Sequence, residues 1–219
     1  MFDLIQERDT GKKLVPKTMV YVITHGACDS LESKNLSEEG KQAIQDLARS
    51  RIAVGVRKIY TAPDQPSMKS AQILKTEFMA KIEVSDCLMD LKGSREEKFL
   101  SEITKMLEDF DHSPNKMESI NNASRRLTEC ANKIAPKHIG DSIAFVTSPL
   151  ISTLFHAQVT GNFSIASQWL MNSYASCAAY EFSGKSWSLV MSPDYSFLIE
   201  PVTMRDVLPD DIIKQLSEL

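Results

Sequence analysis

The sequence predicts an α/β layered protein, and three observations lead there. Apolar, β-branched runs alternate along the chain with stretches of helical periodicity. The segment REEKFLSEITKMLEDF sets Phe99, Ile103, Met106 and Phe110 on one stripe, as an amphipathic helix requires. The last third carries ASCAAYEFSGKSWSLVMS, two strand-like runs around Ser183-Gly184-Lys185, which reads as a β-hairpin.

The elements follow in order. A first strand is expected over 18–24. NLSEEGKQAIQDLARSRI then reads as a helix: Ser37 is placed to cap it, Glu38 and Glu39 suit the positive end of its dipole, and Ala43, Ile44, Leu47 and Ala48 form its apolar stripe. VRKIYTA is a second strand, and its polar start suggests a short or less buried one. Pro66, with its fixed φ, suits the opening of a helix whose face holds Ala71, Leu74 and Phe78. KIEVSDCLMDL is a third strand and loop. After the amphipathic helix, residues 111–116 break the chain at Ser113-Pro114-Asn115. A further helix runs through Ile120, Leu127, Ala131 and Ile134 and stops before Pro136. DSIAFVTS is a buried fourth strand. PLISTLFHAQVTG is a helix closed by Gly161. PDDIIKQLSEL forms a last short helix. No repeat, low-complexity tract or linker interrupts this series, so residues 1–219 are expected to form one domain, with a leader over 1–17 and a C-terminal helical extension over 205–219.

Composition narrows the function classes. The chain has 219 residues, 42 % hydrophobic and 25 % charged, with a net charge of −4 and a pI near 5.6. That balance argues against nucleic acid or an anionic membrane as the main partner. The N-terminal stretch carries charges throughout and has no apolar signal core, and no apolar run approaches the ~20 residues of a membrane span. A cytoplasmic protein without direct membrane insertion is expected. Cys28, Cys87, Cys130 and Cys177 are widely spaced, with no CxxC pair. They are expected as free, mostly buried thiols, without zinc. No cofactor is implied.

The chemistry-bearing stretch is MVYVITHGACDS, in which His25-Gly26 ends the first strand. Leu36-Ser37-Glu38-Glu39-Gly40 opens the next helix. Ala62-Pro63 and Ser70-Ala71 flank the start of the one after. Leu88-Met89-Asp90 offers an acid, and FVTSP ends the buried fourth strand. In this order the chain resembles the histidine phosphatase superfamily, the phosphoglycerate mutase-like fold, over about residues 18–198. The resemblance implies a three-layer α/β/α sandwich with a mostly parallel central sheet and a C-terminal hairpin. It also implies phosphoryl transfer through a phosphohistidine, in which arginines and a second histidine clamp the phosphoryl oxygens and a carboxylic acid protonates the leaving oxygen.

Position by position, His25 stands where the nucleophile belongs and Asp90 near the acid's place. The clamp is where the chain departs from the pattern. Thr24 replaces the arginine before the histidine, Pro66 falls at the second arginine's place, and Ser148, followed by Pro149, takes the second histidine's place. Gly26 completes the pocket positions, and Lys69, Arg57 and Lys58 are the nearby cations that could compensate. Losing one preorganised donor costs ~10²–10³ in rate, and three losses compound to about 10⁶. The chain is therefore expected to be a catalytically inactive, phosphatase-like protein that serves as a scaffold or regulatory subunit for protein partners, with a homodimer as one arrangement. The alternatives are residual phosphomonoester hydrolysis through His25 and Asp90, and a small-molecule sensor built on the remodelled cleft. A metal pair of His25 and Cys28 lacks further ligands. A serine hydrolase built on Ser148 lacks the nucleophile elbow, because Pro149 has no N–H for an oxyanion hole. His112, His138 and His156 carry no motif.

Overall fold

The computed structural model describes residues 16–31, 33–94, 98–114 and 117–219. Its first strand, β1 (Thr18–Thr24), sorts its side chains by parity, as a strand buried on both faces must. Val20 and Val22 join one core cluster, while Tyr21 and Ile23 join another on the opposite face of the sheet. The remaining strands are β2 (Val56–Thr61), β3 (Lys81–Val84), β4 (Ser142–Thr147), β5 (Cys177–Phe182) and β6 (Trp187–Asp194). The helices are α1 (Glu38–Ser50), α2 (Gln65–Phe78), α3 (Phe99–Glu108), α4 (Ile120–Ile134), α5 (Pro149–Thr160), α6 (Ile165–Met171), α7 (Met204–Val207) and α8 (Asp210–Ser217).

The sheet order is β3-β2-β4-β1-β5-β6. The first four strands in that order run parallel, and the β5–β6 hairpin closes the sheet antiparallel. Helices α1 and α2 cover one face through Ile44, Leu47, Ala71 and Leu74. Helices α3, α4 and α5 cover the other through Ile103, Met106, Ile120, Leu127, Leu154 and Phe155. The expected α/β/α sandwich is therefore present. Parallel strands set their C-terminal ends side by side, and ligands of such sheets bind in the crevice just beyond those ends. His25 follows β1 there and Ser148 follows β4. The His25 N–H donates to the Thr147 carbonyl at 2.9 Å, locking the two strand ends together.

The second strand is, as expected, shorter and less buried than β1, yet β2 lies inside the sheet between β3 and β4, with Ile59, Tyr60 and Thr61 buried. Its polar residues Arg57 and Lys58 sit only at its outer, N-terminal end. Several expectations need correction. Helix α6 has no counterpart in the sequence reading, because seven residues are too few to show a clear period. The cysteines are not all free thiols: Cys87 and Cys130 are joined in a disulfide, with Cα atoms 5.9 Å apart. Their separation of 43 residues concealed a contact that only the packing of α4 beside the segment after β3 creates. Within the C-terminal extension, α8 buries Ile212 and Leu216 in the same core as α3. The leader up to residue 15 and the first three residues of the expected helix over 95–110 lie outside the described residues.

Candidate functional site

The site is assembled from four strand-to-helix connections. Beyond β1, Gly26 and Gly40 let the loop and the first turn of α1 approach to backbone contact. A Cβ on Gly26 would lie 2.4 Å from the Gly40 oxygen, and one on Gly40 would lie 2.1 Å from the Ala27 oxygen. Ser37 caps α1 by accepting from the Gly40 N–H at 2.9 Å. The Gly26 N–H donates to Ser70 Oγ at 3.0 Å, and Ser70 donates in turn to the Pro66 carbonyl at 2.9 Å. This relay ties the His25 loop to the first turn of α2.

His25 is 9 % exposed. Its Nδ1 lies 2.9 Å from the Gly26 carbonyl oxygen. A carbonyl only accepts, so Nδ1 carries the proton, and in the neutral ring the Nε2 lone pair is left for another partner. The Tyr174 ring leans on the imidazole at 5.4 Å between centroids. It is placed there by Ala175, whose left-handed backbone (φ 55°) aims its N–H at the His25 carbonyl, 3.1 Å away.

The structure brings Asp90 and Ser148 into direct contact: Ser148 Oγ donates to Asp90 Oδ1 at 3.0 Å, and the Leu91 N–H donates to the same oxygen at 2.9 Å. Burial nevertheless holds the Asp90 carboxyl above the usual carboxylate range, and the negative charge of Asp64 pushes the same way. The two hydrogen bonds and His25 pull against it. Burial also raises the Tyr174 phenol, with Cys28 and Asp90 adding to the effect.

The residues expected at the clamp positions are engaged in the fold. Thr24 is fully buried; its hydroxyl donates to the Ser173 carbonyl at 2.8 Å and accepts from the Ser176 N–H at 2.8 Å, stitching β1 to the approach of β5. Pro66 is buried in the first turn of α2. Ser148, besides binding Asp90, caps α5 by accepting from the Ile151 N–H. The candidate replacements are engaged elsewhere. Lys69 donates to Asn35, Arg57 pairs with Asp141 at the opposite end of the sheet, and Lys58 pairs with Glu83. The other histidines hold the fold: His138 meets the Tyr60 hydroxyl, His156 the Tyr180 hydroxyl, and His112 lies beside Glu102. Among the described residues, no group of three or more potential ligands could hold a metal ion.

Three residues of consequence escape a reading of the sequence. Asp64 caps α2, accepting from the Ser67 N–H at 2.9 Å through one oxygen, while its other oxygen is buried with no partner among the described residues. An Asp immediately before Gln-Pro is a legible helix cap, but its proximity to Asp90 is not. Tyr174 had no signal. Arg126 grips the acid-bearing loop from behind, donating to the carbonyls of Cys87 and Met89 at 2.8 and 2.9 Å while pairing with Glu118 at 2.6 Å.

This sheet order, with a histidine after the first strand facing the end of β4, defines an α/β phosphatase-type architecture. The family model of the histidine phosphatase superfamily (branch 1) matches residues 17–194, and the chain belongs to that family. Among solved structures, Bacillus stearothermophilus YhfR is 22 % identical with a TM-score of 0.68, covering 82 % of this chain and 98 % of its own. A putative α-ribazole-5′-P phosphatase of Escherichia coli is 14 % identical with a TM-score of 0.64, covering 84 % and 99 %. The mycobacterial glucosyl-3-phosphoglycerate phosphatase is 14 % identical with a TM-score of 0.62, covering 80 % and 98 %. No curated protein sequence matches the chain.

Proposed function

We propose that this chain is a histidine phosphatase fold that no longer transfers phosphoryl groups and acts instead as a binding protein, a scaffold or regulatory subunit of a protein complex. One observation carries the reading: a second carboxylate, Asp64, with one oxygen buried and unpartnered among the described residues, opposes His25 in its effect on Asp90, where phosphate handling calls for cations. Thr24 and Ser148 carry no charge, and their hydroxyls are committed to the fold. A doubly negative phosphate entering this cleft meets like charge. Each missing charge-assisted bond removes about 1.5–3 kcal/mol of binding.

The test pairs activity with binding. Purified protein assayed with a generic phosphomonoester should show no turnover above that of His25→Ala, and trapping at alkaline pH, where the acid-labile N–P bond survives, should leave no phosphohistidine. Phosphate or vanadate should not raise its melting temperature, since only a ligand that binds the folded state does so. A stable protein partner should co-purify from the native extract. Turnover that disappears in His25→Ala would overturn the reading.

A second reading is favoured by one specific feature, the Nδ1–H to Gly26 carbonyl bond that leaves Nε2 available. With burial raising the Asp90 carboxyl above the usual carboxylate range, a nucleophile and a better proton donor would then coexist, supporting slow phosphomonoester hydrolysis. The same His25→Ala comparison decides between the two.

A further inference from the structure

A concave site lies away from His25, at the sheet edge between β3 and α4. It is an open cavity of about 740 Å³, and both Cys87 and Cys130 line it. That volume is within the range of small-molecule sites. Its charge is lopsided. Five cations and three carboxylates line it, but Arg126 is paired with Glu118, and Glu83 with Lys58. Among the described lining residues this leaves four cations, Lys92, Arg125, Lys133 and Lys137, against one carboxylate, Glu129. The two sulfurs differ in access. Cys87 is half-buried on the 3-10 turn Asp86–Leu88, whereas Cys130 is 6 % exposed on the inner side of α4. The Ser85 hydroxyl donates to Cys87 Sγ at 3.0 Å and lies 4.0 Å from Cys130 Sγ. The bond they form fastens the segment leading to Asp90 onto α4.

We propose that this cavity is a thiol–disulfide exchange site for a small, carboxylate-bearing thiol, and that exchange there releases the Asp90 loop from α4. The proposal does not depend on whether the His25 cleft is active. The thiolate of the incoming molecule attacks Cys87 Sγ, the more accessible sulfur. A new S–S bond forms to Cys87 as the Cys87–Cys130 bond breaks, and the electron pair leaves on Cys130 as a thiolate. A second thiol molecule attacks the mixed disulfide, departing as its own disulfide and leaving Cys87 as a thiolate. Two thiols are thereby oxidised and one protein disulfide is reduced. Cationic surroundings favour this chemistry twice: they draw in an anionic thiol, and they stabilise the departing thiolate.

The probe is reduced glutathione, compared with the uncharged thiol 2-mercaptoethanol on the full wild-type chain purified without reductant. Opening of the disulfide is followed by intact mass and thiol counting. Glutathione should react about tenfold faster than the neutral thiol after correction for thiolate fraction and intrinsic nucleophilicity, and that advantage should vanish at high salt and in Arg125→Glu/Lys133→Glu. Limited oxidised glutathione on Cys130→Ser should trap the mixed disulfide at Cys87, with one reduced glutathione released. On reduction, the backbone amides of residues 86–91 should exchange hydrogen faster. The proposal is overturned if both cysteines are found as thiols in the oxidatively purified protein, if the corrected rates for the two thiols are equal, or if reduction leaves exchange at 86–91 unchanged. The wild-type comparison needs no variant to fold.

Discussion

Asp90 shows how far one residue's role depends on its surroundings. In sequence it is the acid of a Leu-Met-Asp triplet, and nothing there shows the company it keeps. In the structure it accepts from Ser148 and Leu91, yet burial and Asp64 still hold its carboxyl above the ordinary range. The sign of the consequence is definite. A raised folded value contributes stability that is complete below the unfolded value near pH 4 and is lost as the pH climbs through the folded value. Asp90→Asn keeps an acceptor for both hydrogen bonds and removes the titration. It should therefore melt higher than wild type at pH 7 and show no such gain at pH 3.5. Thermal melts of the two proteins across that window check this, and equal offsets at both ends would refute it. His25 was legible at the same scale, because His-Gly at a strand end is a local pattern. Tyr174 was not, since the left-handed turn at Ala175 that delivers it has no sequence signal.

Among the elements, α1 and α4 show opposite degrees of legibility. The start of α1 could be read almost completely: Ser37 caps it, Glu38 and Glu39 occupy its first turn, and the apolar stripe faces the sheet, as expected. What the sequence could not show is why a glycine stands at position 40. The answer is contact with the backbone after His25, which leaves no volume for a methyl group. Gly40→Ala should cost about 1–3 kcal/mol by forcing helix and loop apart. Gln42→Ala, on the exposed side of the same helix, should stay within about 0.5 kcal/mol. Urea unfolding of both measures the contrast. On α4 the apolar stripe was equally plain, but Arg126 read as one more surface charge. Its bonds to Glu118 and to two loop carbonyls place it among the partly buried pairs whose disruption costs about 3–5 kcal/mol. Arg126→Ala should show a loss of that size, together with faster hydrogen exchange in the Asp90 loop. A loss below about 1 kcal/mol would make it an ordinary surface pair.

For the molecule as a whole, the order of segments carried the α/β/α fold into view even though the residues at the strand ends depart from the expected motifs. Alternating strands and helices are set by burial on two faces of a sheet, and burial survives when catalytic side chains change. The same separation explains why the departures at the cleft were readable as substitutions but not as consequences. The residues proposed to stand at the clamp positions do more than lack charge; they are tied into the fold. Thr24 is fully buried and joins β1 to the segment before β5 through two bonds of 2.8 Å. An arginine there would have to bury its guanidinium, displace both bonds and find a carboxylate it was not built beside. Thr24→Arg should accordingly lose about 4 kcal/mol or more and gain no phosphatase activity. Thr24→Val, which keeps the shape and removes only the hydroxyl, should lose about 1–3 kcal/mol. A Thr24→Arg protein that folds at wild-type stability would mean that the position can accept a guanidinium without cost. The buried, doubly bonded hydroxyl argues that an arginine here is blocked by the fold itself.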